Sequence, residues 1–113
     1  MIEESVIRNR PKQCWSRQSS SLWTENNPAR GQCGVTSLVL QDNYGGDILK
    51  TRLANGQLHF YNRIDNKRID FTDDQFAEPI VYLDQPATRA EAVADTNDEQ
   101  YKYLSHAFCR IIK

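Results

Sequence analysis

A pair of glycines, Gly45-Gly46, divides this chain into two rhythms. Before it, Val35, Leu38 and Val39 recur at the i, i+3, i+4 spacing of a core-facing helical face. The glycines supply a C-terminal stop, so that helix is predicted to run from about Cys33 to near Tyr44. After them the period falls to two. Strands are predicted over 48–53, 58–64 and 67–71, divided by the turn signals Asn55-Gly56 and Asp65-Asn66. A short fourth strand is expected over 80–83. Thr72-Asp73-Asp74-Gln75 and Thr96-Asn97-Asp98-Glu99 both have the form of a capping box. The second opens a final helix with Tyr101, Leu104, Phe108, Ile111 and Ile112 on one face. Upstream, Ser16 is a plausible N-cap for a short helix to about Trp23, and residues 25–31 read as a loop. Residues 86–94 read as a surface connection. Helices, then an antiparallel meander, then a closing helix make an α+β domain. The expected core is an antiparallel sheet of three to five strands packed on the helix that starts at Cys33, in a single domain over 1–113.

Composition narrows the functions open to such a domain. Its net charge of −1 gives no basic field for nucleic acid or an anionic membrane surface. No apolar run approaches the roughly 20 residues that span a bilayer. The acidic start Met1-Ile2-Glu3-Glu4 lacks the apolar core of a signal peptide. Three cysteines cannot all pair within the chain, which points to reduced thiols and a cytoplasmic setting. No close ligand pair such as Cys-x-x-Cys or His-x-x-x-His is present, so neither a metal nor another cofactor is expected. Cys14 and Cys109 are expected to be structural, Cys109 being buried beside Phe108, and His106 to face solvent.

Cys33 differs from the other two thiols. It stands where the irregular Gly31-Gln32 gives way to a helix, and the free N–H groups of a helix N-terminus favour thiolate over thiol. Downstream lie His59 in a strand-like run and then Asp70, the inventory of a thiol acyl-transfer site. With Asp65-Asn66 as a two-residue turn, Asp70 stands opposite Tyr61. His59 and Asp70 then share a face as diagonal neighbours about 7–8 Å apart, which side chains can bridge. Cys33 would be the nucleophile, its sulfur within about 4 Å of His59, and His59 the proton carrier. Asp70 would orient the imidazole, with Asn62 or Asp73 as alternatives. The Cys33 N–H could face a developing oxyanion, with a second donor from Trp15, Trp23, Asn27 or Gln32. Residues of the type of Trp15 and Trp23 are more often core anchors than site residues.

Gly31-Gln32-Cys33 before an apolar helix, then His59-x-x-Asn62, then Asp70-x-Thr72 resembles the core of transglutaminase-like and papain-like cysteine enzymes. That resemblance covers residues 31–72 and implies the roles just given for Cys33, His59 and Asp70. Gly34 departs from it, standing where transglutaminases usually have Trp. A broader resemblance is to the YunG-like family of small bacterial proteins. It is carried by Cys14-Trp15-Ser16, Pro28-Ala29-x-Gly31-Gln32-Cys33-x-Val35-Thr36, Gln41-Asp42-x-Tyr44-Gly45-Gly46, His59-x-Tyr61-Asn62 and Asp70-Phe71-Thr72. The function expected is a thiol-dependent hydrolase or acyl transferase acting on a peptide, amide, isopeptide or glutamine side chain. The alternative is a non-catalytic module that binds a peptide or small molecule in the same groove.

Overall fold

The computed structural model describes residues 9–112, without the side chains of Asn9, Asp74 and Ile112. The acidic start Met1–Glu4 lies outside the described residues, as do the side chains of Asp74, expected to serve a cap, and of Ile112, expected on the last helix's apolar face. Helix α1 (Asn9–Cys14) leads into turns, and α2 (Cys33–Tyr44) follows. Strands β1 (Asp47–Arg52), β2 (Leu58–Ile64) and β3 (Lys67–Ile69) come next, then a single 3₁₀ turn at Asp73–Gln75. The chain closes with β4 (Gln85–Pro86), α3 (Arg89–Ala94) and α4 (Asp98–Ile112). The fold is α+β, with one antiparallel sheet in the order β3-β2-β1-β4.

Turn chemistry sets the register. Asp65 and Asn66 both take positive φ, 53° and 64°, as a two-residue hairpin turn requires. Ile64 therefore pairs with Lys67 and Asn62 with Ile69. On β2 the pleat sends Phe60, Asn62 and Ile64 to one face and His59 and Tyr61 to the other. The first face carries α2: Asn62 Nδ2 donates to the Ser37 carbonyl, and Phe60 packs with Cys33, Leu38, Ile48 and Ala92. The second is covered by the segment after the 3₁₀ turn, where Phe76 and Tyr82 pack on His59 and Tyr61.

Helix α2 was expected to bury one stripe. Instead all eight residues Cys33–Leu40 are buried, because the sheet, α3 and α4 enclose it on several sides. Its polar side chains are matched accordingly: Thr36 Oγ1 accepts from Trp15 Nε1, and Ser37 Oγ donates to the Gly34 carbonyl.

Several local expectations need correction. Residues 16–23 form turns rather than a helix, because Ser16, Ser19 and Ser20 hydroxyls bond nearby backbone groups that a helix would need. Thr72 does not cap: its hydroxyl and N–H both donate to Asp70 Oδ1, leaving one 3₁₀ turn. Residues 80–83 are not a ladder strand; the Thr51 hydroxyl brackets them, donating to the Val81 carbonyl and accepting from the Leu83 N–H. Strand pairing begins only at Gln85. The 86–94 connection contains α3, opened by a full capping box between Thr88 and Glu91. Finally, the cap of α4 is Asn97, which accepts from the Gln100 N–H, one residue later than expected. On α4 Leu104 and Phe108 are buried as predicted, but Cys109 and Ile111 are exposed. Cys109 follows Phe108 by one residue, a turn of about 100° away from the core.

Candidate functional site

The stretch of β2 before Phe60 lies beyond the reach of the three-residue β3. Successive residues Leu58, His59 and Phe60 all line one cavity of about 600 Å³. Side chains of successive strand residues point to opposite faces, so the cavity wraps the strand's open edge rather than lying on one face. Cys33, at the N-terminal tip of α2, lines the same cavity, together with Arg30, Gly31, Phe76, Glu91 and Asp95.

Parity and turn type bring His59 and Asp70 together as the sequence implies. His59 Nε2 lies 2.7 Å from Asp70 Oδ2, and the two side chains are 0% and 5% exposed. A carboxylate oxygen only accepts, so the proton of this bond sits on Nε2. Nδ1 is buried without a hydrogen-bond partner among the described residues. Asp70 is held in turn. Its Oδ2 also accepts from the Tyr82 hydroxyl at 2.8 Å, and its Oδ1 accepts from the Thr72 N–H and hydroxyl, both at 3.2 Å. Loss of solvent and the neighbouring Asp70 charge push the Tyr82 phenol above its usual range. Tyr82 was not foreseen; it sits in a segment that sequence periodicity assigned to a strand.

Cys33 does not meet the expectation of a direct contact with His59. Its hydrogen bond goes elsewhere: Sγ donates to Asp95 Oδ2 at 3.4 Å, and the same oxygen accepts from the Gly34 N–H at 3.0 Å. The predicted thiolate is corrected as well. Burial pushes the thiol well above its ordinary range, and the Asp95 charge pushes the same way; the Phe60 backbone amide opposes them. The resting group is a neutral thiol. Asp95 keeps solvent contact as a residue, but its carboxyl tip is packed against α2. Loss of solvent raises its pKa, while the hydrogen bonds from Cys33 and Gly34 pull it down.

Asp95 was missed because the segment just before it, 86–94, was read as a surface connection. A signal was present, since Thr88-Arg89-Ala90-Glu91 has capping-box form and marks a helix start there. Gly34 is the other half of the contact. A Cβ there would stand 2.5 Å from Asp95 Oδ2 and 2.9 Å from the Ala92 carbonyl, so only glycine admits α3 this close.

Most of the supporting residues are otherwise engaged. Trp15 Nε1 is spent on Thr36, Asn62 on Ser37, and Asn27 Nδ2 on the Gln75 carbonyl. The Trp15 side chain has no second donor to offer an oxyanion, and Asn62 lies on the α2 face of the sheet, away from His59. The alternative Asp73 stands at the head of the 3₁₀ turn, and its place beside His59 is taken by Asp70. Gln32 is different: it is fully buried, and neither end of its amide has a hydrogen-bond partner among the described residues. Trp23 Nε1 is likewise unpaired. Cys14 is buried and Cys109 exposed, and His106 faces solvent as expected. Among the described residues, no group of three or more His, Cys, Asp or Glu side chains could hold a metal ion. No helix among them is long and apolar enough to cross a membrane.

The YunG protein family matches the chain over residues 4–113. The chain is also similar to "Uncharacterized protein YunG" of Bacillus subtilis (strain 168), with 56% identity over 99 residues that cover 88% of this chain and 85% of that protein. No solved structure matches it. Both matches run across nearly the whole length, and the chain belongs to the YunG family.

Proposed function

We propose that the chain is a thiol-dependent hydrolase or acyl transferase acting on an amide, isopeptide or glutamine side chain. Cys33 is the nucleophile, His59 the proton carrier and Asp70 the residue that positions the imidazole, on a minimal papain-like or transglutaminase-like core. One observation carries this reading. A buried His59 is fixed at Nε2 by Asp70, and its unpaired Nδ1 belongs to a ring lining the same cavity as Cys33 at a helix N-terminus. A structural histidine buried this deeply would be expected to satisfy both nitrogens.

In the reaction, Nδ1 takes the Sγ proton as sulfur attacks the acyl carbon. The C–S bond forms, the C–N bond breaks, and the proton on Nδ1 leaves with the amine. Water or a second amine then cleaves the thioester, giving its proton to His59 and returning the thiolate to Cys33. The backbone N–H groups at the start of α2, that of Gly34 among them, and the Gln32 amide are the groups offered to the developing oxyanion.

The alternative, a non-catalytic module binding a peptide or small molecule, is favoured by the neutral, carboxylate-bound thiol. Brief iodoacetamide treatment of the folded protein, mapped by peptide mass, separates the two. For the enzyme, modification of Cys33 responds to pH through an imidazole and falls in His59→Ala. A Cys33 rate indifferent to His59→Ala would leave the binding module.

A further inference from the structure

The contact that most shapes this site is one the proposed chemistry does not use. Asp95 Oδ2 sits between the thiol of Cys33 and the N–H of Gly34, where a helix N-terminus offers its free donors. Such donors are where an acyl oxygen acquires its negative charge during thiol attack. The protein has placed its own carboxylate there. His59 Nδ1 and the Gln32 amide, in the residue before Cys33, are buried without hydrogen-bond partners among the described residues. The arrangement is built rather than incidental. Asp95 follows directly on α3, whose start is fixed by a capping box and whose face is tied to the sheet by the Lys50–Glu91 ion pair. Gly34 is the residue that lets α3 approach.

We propose that Asp95 is an internal latch: it occupies the substrate oxygen's position at the head of α2 and holds Cys33 as a neutral thiol until an incoming acyl group displaces it. This rests on reading Cys33 as the nucleophile, and it adds how that nucleophile is kept silent. The displaced carboxylate has room, since Asp95 lines the cavity and retains solvent contact. An incoming carbonyl oxygen would replace the carboxylate oxygen on the Gly34 N–H, and the freed thiol proton would pass to His59. A role for Asp95 as the base that takes the thiol proton is the opposite reading, and it predicts the opposite sign in the same experiment.

The experiment compares second-order alkylation of each cysteine by iodoacetamide near neutral pH in wild type, Asp95→Asn, Asp95→Ser and Gly34→Ala. The asparagine keeps an acceptor for Gly34 but removes the charge. The alanine leaves the charge and evicts it by the close contact. Each variant is expected to accelerate Cys33 by about tenfold, the change produced by one unit of thiol pKa, with Cys14 and Cys109 unchanged. Unchanged or slower Cys33 alkylation overturns the latch, and slower alkylation in Asp95→Asn makes Asp95 a base. Acceleration shared with buried Cys14 also overturns it, because it marks general loosening. Adding His59→Ala to Asp95→Asn separates the two proposals. If the acceleration survives, the latch stands and the role of His59 falls; if it vanishes, both stand.

Discussion

Replacing Asp70 with asparagine tests the proposed dyad through stability and reactivity together. The substitution keeps size and shape, so no cavity term enters. What changes is the hydrogen-bond count. Asp70 accepts at least four bonds, two or more on each oxygen. An asparagine amide has one oxygen, so whichever way it turns, at least two donors confront an NH₂ group. Placed with its oxygen toward Thr72, it sets the NH₂ against His59 Nε2 and the Tyr82 hydroxyl. The hydroxyl can rotate, and His59 can move its proton to Nδ1 so that Nε2 accepts. The remaining loss is the charge assistance on two short bonds. Bonds to charged groups contribute about 1.5–3 kcal/mol and neutral ones about 0.5–1.5. The destabilisation expected is therefore about 2–3 kcal/mol, or roughly 10 °C in Tm for a domain of this size. The tautomer shift has a chemical consequence. A protonated Nδ1 cannot take the Cys33 proton, so Asp70→Asn should lose the same His59-dependent alkylation of Cys33 as His59→Ala. Urea unfolding and peptide-mapped alkylation measure the two effects. A stability loss below about 1 kcal/mol would refute the buried pair. A large loss with unchanged His59-dependent alkylation would show that the pair is structural only.

Two further outcomes follow from the same site. The raised pKa of Cys33 contributes stability that is fully present below the unfolded thiol's pKa of about 8.5 and is lost as pH rises, by up to about 1.4 kcal/mol per pH unit; between about pH 8.5 and 10, before Tyr61 and Tyr82 join, urea unfolding under reducing conditions should show a shallower decline in Cys33→Ala than in wild type, and equal slopes would mean the thiol is not held neutral. Gln32→Met removes a buried amide without partners and should raise stability by about 1 kcal/mol in urea unfolding, whereas a loss of stability would show that the amide is satisfied in solution.

The meander was legible because each local signal agreed with the global fold. Asp65-Asn66 fixed an even turn, parity then placed His59 and Asp70 on one face, and the structure joins them at 2.7 Å. Helix α2 was legible at both ends, from Cys33 to the glycines after Tyr44. The supporting donors were not. Trp15, Asn27 and Asn62 carry suitable groups, but Thr36, Gln75 and Ser37 claim them, and those demands arise only once the elements pack. Sequence counts donors; it does not count the buried acceptors that compete for them. Residues 80–83 failed for a related reason. Their apolar alternation is real, yet a threonine hydroxyl holds the segment in place of a backbone ladder.

The thiol shows which effect wins when two local rules conflict. A helix N-terminus favours the thiolate, by about 0.3–1 kcal/mol at an exposed end. Full burial of an ionisable group works against its charged form by up to 3–5 pKa units, about 4–7 kcal/mol. Cys33 has both, and it also donates to a carboxylate that has already taken the Gly34 N–H. The helix-end donor is therefore taken by the Asp95 carboxylate rather than by the sulfur. A cysteine at a helix start is thus only potentially reactive. What decides is whether solvent, a substrate oxygen or the protein's own carboxylate stands on the first free amides. In this chain Gly34 settles the matter, because the one residue type without a side chain is what allows Asp95 to stand there.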